Sequence, residues 1–234
     1  MSTADRKVMV IGAAGALGQA VVHAYREQGA ALALIDRSAE LLSSALGRES
    51  ETSKHYPCDL LDVRGVSSAV ERAVADLGRI DAVCHVAGAF RMGEPVHDTT
   101  DAIWDLMINT NARAFLNVAR AVIPPMMRAG GGKIVAVGAL GAQRGQANMG
   151  AYAASKRAFE ALVESLSAEQ RANGINVNAV LPSIIDTPAN RRDMPDAAHS
   201  QWVSAGELAQ VIVFLCSDAA KPIHGACIPV RGLS

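Results

Sequence analysis

Short apolar runs rich in Val, Ile, Leu and Ala alternate along the chain with longer stretches whose apolar positions recur every three or four residues. The short runs predict strands at 7–11, 31–35, 55–58, 80–86, 133–137, 175–180 and 226–230. The longer stretches predict helices at 16–28, 39–46, 63–77, 103–127, 151–171 and 205–216. Gly29 suits the C-terminal cap of the first helix, and Asn173-Gly174 marks a turn. The stretch 103–127 can be one helix or two, with Pro124 and Pro125 expected to disturb its end. Strand–helix alternation of this kind implies right-handed βαβ crossovers. The fold class expected is α/β: a single domain over 1–234, a Rossmann-type, doubly wound parallel sheet with helices on both faces. The segment 182–203 is irregular, holds prolines and is longer than most connections, which suits a loop covering a substrate.

Composition fits this picture. Half of the 234 residues are hydrophobic but only 4% are aromatic, so the core must be built from Ala, Val, Leu and Ile. With 22 basic and 23 acidic side chains the net charge is −1, which gives no footprint for nucleic acid or an anionic membrane. The pair Arg191–Arg192 reads as part of a solvated loop. Cys58, Cys84, Cys216 and Cys227 show neither close pairing nor metal spacing, so reduced thiols and no metal site are expected. No leader segment is evident before the first strand, and no apolar run is long enough to span a bilayer. A cytoplasmic protein is the expectation.

Two groups of residues suggest chemistry. Gly12-Ala13-Ala14-Gly15-Ala16-Leu17-Gly18 follows the first strand and opens the first helix. Small residues there let the backbone approach a pyrophosphate, and a helix N-terminus offers free N–H groups and a positive dipole end. Asp36 closes the second strand, where a carboxylate can accept both ribose hydroxyls and repel a 2′-phosphate. Arg37 follows and could instead neutralise such a phosphate, and Asp36 could also serve as a helix cap. NAD(H) is preferred, with NADP(H) left open. Asp59, with Leu60 after it, follows the third strand and suits either an adenine contact or a helix cap. The second group is Tyr152 and Lys156, whose spacing puts them on one face of a helix, one turn apart. A nearby ammonium is expected to lower the tyrosine's pKa and make it a proton carrier. Taken alone, this spacing is common by chance.

Together, the glycine turn, Asp36, Val86-Ala87-Gly88, Asn111, Tyr152/Lys156, Pro182 and Thr187 resemble the short-chain dehydrogenase/reductase family in order and spacing, from Val8 to Gly232. The resemblance implies that Ala87 and Gly88 pack along the cofactor and that Asn111 holds a helix kink and a water leading to Lys156. It places Pro182, Ile185 and Thr187 near the nicotinamide carboxamide. It also implies a homodimer or homotetramer paired through the helices at 103–127 and 151–171. Two departures stand out: Ala16 where the family often has glycine, and Ala139 where it has a catalytic serine. Gln143 and Asn148 are the nearby candidates for a replacement donor. Ala139 and the loop from Val180 to Trp202 resemble the dihydropteridine reductase subgroup. That resemblance implies an NADH-dependent reductase of a small cyclic substrate such as a quinonoid dihydropterin. An alcohol or ketone substrate is the alternative, and a non-catalytic NAD-binding sensor a third reading.

Overall fold

The computed structural model describes residues 6–233. Residues 1–5 and Ser234, which belong to the expected single domain and include the start searched for a leader, lie outside the described residues. Seven parallel strands form one sheet: β1 (Lys7–Ile11), β2 (Ala31–Ile35), β3 (Ser53–His55), β4 (Ala82–His85), β5 (Gly132–Val137), β6 (Ile175–Pro182) and the last strand, Cys227–Val230, which is β9. Their order is β3-β2-β1-β4-β5-β6-β9. The chain winds outward from β1 to β3, returns to place β4 beside β1, and winds outward again. The switch point therefore lies between the C-terminal ends of β1 and β4, where open α/β sheets form their ligand crevice.

Alternation along the strands builds two cores. Met9 and Ile11 of β1 and Ala33 and Ile35 of β2 face one layer, which holds helices α3 (Val63–Leu77), α5 (Ala114–Arg128) and α6 (Gly150–Gln170). Val8, Val10, Leu32 and Leu34 face the other, which holds α1 (Ala16–Glu27) and α8 (Ala205–Leu215), with Leu42 of α2 (Ala39–Leu46). The few aromatics are concentrated: Phe115 and Phe159 are fully buried in the first layer and Tyr25 in the second. Each such side chain contributes roughly 1.5–3 kcal/mol by leaving water.

The structure corrects several boundaries. β3 is Ser53–His55 rather than 55–58, although Tyr56 and Cys58 N–H groups still bond to Leu34 O and Asp36 O and keep the chain beside β2. β4 is shorter than 80–86. The stretch 103–127 is two helices, α4 (Asp101–Ile108) and α5, joined by a π-helical turn at Asn109–Arg113. Pro124 and Pro125 do not break α5, which continues to Arg128 with Val122, Ile123 and Met126 buried around them. Core packing there outweighs the lost N–H donors.

The segment 182–203 is not irregular throughout. Ile185–Asp186 (β7) pairs with Val203–Ser204 (β8) and closes its base, and α7 (Pro188–Asp193) fills part of the span. Arg191 binds both carboxylate oxygens of Asp186 at 2.6 and 2.7 Å. No helix among the described residues is long and apolar enough to cross a membrane. All four cysteines are free, and Cys84 and Cys216, distant in sequence, bring their sulfurs to 3.9 Å in the second core.

Candidate active site

The glycine turn after β1 is shaped by steric necessity. Gly12 has φ +83°, and a Cβ there would stand 2.8 Å from the Ala87 backbone, so β1 and the segment after β4 meet only because both residues are small. A Cβ on Gly18 would collide with the Gly12 carbonyl. Gly15 caps α1, and the first N–H groups of that helix, at Ala16, Leu17 and Gly18, have no helical acceptors. The Leu17 side chain lies in the core, so only its backbone reaches the turn.

Asp36 does not cap α2; Ser38 does, accepting from Leu41 N–H. The Asp36 carboxylate accepts from Ala14 N–H at 2.9 Å and Arg37 N–H at 2.8 Å, which fixes it against the turn. Asp59 accepts from Leu61 N–H at 2.9 Å, while the cap of α3 is Asp62. These groups border one cleft of about 420 Å³, lined among others by Gly12, Ala14, Gly15, Asp36, Arg37, Asp59, Leu60, Ala87 and Gly88. Its wall also includes Leu41, Cys58, Leu61, Thr110 and Ala114, which sequence reading missed. Leu41 lies in the first turn of α2 and Leu61 just ahead of α3, and both are exposed apolar residues. Thr110 in the π turn and Ala114 at the start of α5 carried no signal, because the junction that presents them has no simple periodicity.

At the far end of this cleft Gly88 faces the second group. A Cβ there would lie 3.0 Å from Asn111 Oδ1 and 3.1 Å from Lys156 Nζ. Asn111, in the π turn, is buried; its Oδ1 accepts from Ala89 N–H at 3.1 Å. Its Nδ2 donates to Ala89 O at 3.1 Å and to Ser155 Oγ at 3.0 Å. The side chain thus stitches the kinked helix to α6 and to the chain after Gly88. Ser155 in turn donates to Tyr152 O at 2.8 Å, a role the sequence did not reveal. Pro182, Ile185 and Thr187 stand at the end of β6 and the start of the loop, outside the residues lining the cleft. Thr187 Oγ accepts from Asn190 N–H as the cap of α7.

The electrostatics differ from the sequence expectation. Lys156 is buried and donates to Val137 O at 2.9 Å; burial pushes its pKa down to about 8, against an opposing pull from Glu160. Tyr152 is not lowered. Burial, and then the Glu160 carboxylate, push it up to about 12, while the Lys156 ammonium is turned toward the Val137 carbonyl. His85, the last residue of β4, lies fully buried between Phe115 and Phe159, with both ring nitrogens unpartnered and its pKa pushed down to about 3 by burial and Lys156.

Ala139, two residues after β5, carries only a methyl. Gln143 does not replace it: its Nε2 donates to Glu160 Oε2 and its Oε1 accepts from Arg157, so the amide is held against α6. Asn148 is exposed with φ 62°, and its carbonyl accepts from Gly93 N–H.

The family profile described as enoyl-(acyl carrier protein) reductase matches residues 12–232. The chain belongs to the short-chain dehydrogenase/reductase family. It is 32% identical to the D-threitol dehydrogenase of Mycolicibacterium smegmatis, covering 97% of this chain and 92% of that one. It is 30% identical to the cyclopentanol dehydrogenase of Comamonas sp. (strain NCIMB 9872), over 97% and 96%. Among solved structures, levodione reductase superposes with a TM-score of 0.90 at 27% identity, covering 97% of this chain and 96% of that one. An NAD+-bound xylitol dehydrogenase superposes at 0.88 and 26%, over 97% and 98%. The relatives are dehydrogenases and reductases, and this member of the family is an oxidoreductase.

Proposed function

We propose that this chain transfers hydride between a nicotinamide cofactor and a small alcohol or ketone, with Tyr152 exchanging the accompanying proton. The observation that carries this reading is Gly88, whose bare Cα joins the cleft beginning at Gly12 and Asp36 to Asn111 and Lys156.

The residues present fit such a cofactor. Gly12, Gly18 and Gly88 leave space that side chains would fill, and the N-terminus of α1 offers donors to a pyrophosphate. Asp36 keeps lone pairs for ribose hydroxyls and repels a 2′-phosphate, which supports NAD(H) over NADP(H) despite Arg37 beside it. Leu41, Cys58, Asp59 and Leu60 would border the adenine, Ala87 would pack along the cofactor, and Pro182, Ile185 and Thr187 would lie toward the carboxamide. The bound cofactor would supply or accept the hydride. Lys156 would hydrogen-bond its ribose, and Asn111 would hold the kink and the water leading to that lysine.

A phenol with a pKa near 12 is protonated at neutral pH, so Tyr152 is poised to donate to a carbonyl oxygen being reduced. Alcohol oxidation asks it to give up that proton first and gains from alkaline conditions. Ala139 leaves the substrate oxygen without a second hydroxyl donor. The names of the relatives fit an alcohol or ketone better than a quinonoid dihydropterin, the reading suggested by the loop at 182–203. That loop, hinged on the β7–β8 pair, would cover the substrate. Exposed Trp104 and Leu106 on α4 support a homodimer or homotetramer through α4, α5 and α6, which sedimentation would test. The four free thiols suit a cytoplasmic setting. Steady-state assays with NADH and NADPH against cyclic ketones, polyols and a quinonoid dihydropterin test the assignment, and turnover of the pterin alone would overturn the substrate class.

A further inference from the structure

Between β4 and the short 3-10 turn at Val96–Asp98 the chain has no regular structure, yet it is fastened to the start of α6 at three points. The Phe90 ring meets the Tyr152 ring edge to face, with centroids 4.8 Å apart and planes at 85°. Gly93 N–H donates to Asn148 O at 3.0 Å. Val96 Cγ2 would stand 2.7 Å from a Cβ on Gly150, so the two segments are in close contact two residues before the tyrosine. What this fastened segment presents to solvent is apolar: Phe90, Met92 and Val96 are 57%, 52% and 75% exposed. Its charges, Arg91 and Glu94, pair with each other at 3.0 Å. On the turn after β5, Ala139 offers a methyl and Gln143 is held by Glu160 and Arg157. Large apolar side chains grouped beside a proton-exchanging phenol are the signature of a surface that meets an apolar ligand.

We propose that Phe90, with Met92 and Val96, forms a wall of the substrate site and selects substrates whose carbonyl or hydroxyl is borne on a carbon ring over polyhydroxylated chains. The proposal rests on Tyr152 being the proton-exchanging group. A ring lying on this wall removes apolar area from water on both partners, and the Tyr152 contact holds Phe90 in place to receive it. A polyol in the same position would leave hydroxyls facing hydrocarbon, where unsatisfied polar groups are unfavourable.

The test is calorimetric titration of the full chain with cyclohexanone and, separately, with dihydroxyacetone, each with and without saturating NAD+. Cyclohexanone has no hydroxyl for NAD+ to oxidise, and for dihydroxyacetone, whose primary alcohols NAD+ could oxidise, the titration without NAD+ reads binding alone. The expected result is cyclohexanone bound at least about tenfold more tightly than dihydroxyacetone, a difference of 1.4 kcal/mol. Phe90→Ala should lose most of that ratio, Phe90→Leu should keep most of it, and neither should change NAD+ affinity. Equal binding of the two ketones by the wild type, or a ratio unchanged in Phe90→Ala, overturns the wall. A drop in oligomeric size in Phe90→Ala with the ratio unchanged also overturns it and gives the face to a contact between copies. Failure of NAD+ itself to bind is a separate outcome and counts against the cofactor reading, since the ketone ratio is still measured without it.

Discussion

Gln143 Nε2 donates to Glu160 Oε2 at 2.5 Å, and this bond ties the turn after Ala139 to the helix that carries Tyr152 and Lys156. Arg157 completes the knot, reaching Gln143 Oε1 at 2.7 Å and Glu160 Oε2 at 3.3 Å, while Glu160 Oε1 is buried without a partner. A buried carboxylate held this way acts on its neighbours by charge: it pushes the Tyr152 phenol up and opposes the downward push on Lys156. Glu160→Gln removes that charge and keeps the volume. The pH profile of alcohol oxidation should move to lower pH, since Tyr152 gives up its proton more readily. An unmoved profile would separate Glu160 from the tyrosine. Gln143→Ala instead leaves the buried carboxylate short of a donor and should destabilise the fold by about 1–3 kcal/mol, read from denaturant unfolding.

His85 makes stability depend on acid. Its folded pKa is about 3, against about 6.5 for an unfolded histidine. As pH falls below 6.5 the unfolded chain takes up a proton that the folded chain refuses. The stability fully present above 6.5 is therefore lost progressively toward pH 3, by about 2 kcal/mol at pH 5. His85→Phe keeps an aromatic ring between Phe115 and Phe159 and removes two orphaned nitrogens. It should flatten the fall in Tm between pH 7 and pH 5. An equal fall in the variant and the wild type would place the acid sensitivity elsewhere.

Gly88→Ala should weaken cofactor binding more than it harms folding. The added methyl would press on the Asn111 amide and the Lys156 ammonium, tighter than ordinary contacts, and both are fixed by other hydrogen bonds. We expect NAD+ affinity to fall by at least about tenfold, or 1.4 kcal/mol, measured by titration. Wild-type affinity in the variant would mean that the cleft does not pass Gly88.

Asp36→Ala should shift cofactor choice. Removing the carboxylate relieves repulsion of a 2′-phosphate and leaves Arg37 free to attract one, so the ratio of NAD+ to NADP+ affinity should drop by about tenfold or more. The turn should loosen as well, because Ala14 N–H loses its acceptor. An unchanged ratio would remove Asp36 from the ribose site.

The strand–helix alternation is plain in the sequence because inner parallel strands are buried on both faces and read as unbroken apolar runs, as Ala31–Ile35 and Ala82–Cys84 do, while the edge strand Ser53–His55 is polar and only partly buried. The glycine turn and Asp36 were legible for the same kind of local reason: the turn needs small residues whatever surrounds it. What escaped is set by tertiary neighbours. His85 sits in an apolar strand and gives no hint that Lys156 lies nearby. Glu160 follows the helical pattern of α6 but is buried, and only its partners Gln143 and Arg157 explain why. The order within 182–203 comes from the β7–β8 pair, two residues long on each side, too short to leave a periodicity. Tyr152 is pushed up rather than down because helical spacing shows neither the burial of its phenol nor the Glu160 carboxylate near it.

In the proposed reaction Tyr152 exchanges the substrate proton while hydride passes to or from the cofactor. The most direct test is reduction of a cyclic ketone by NADH, followed by loss of the reduced nicotinamide's absorbance, in the wild type and Tyr152→Phe, with NAD+ affinity measured alongside. The account predicts turnover by the wild type, a fall of about 10²–10⁴-fold in the variant and unchanged NAD+ binding. Equal turnover in the two proteins would contradict it.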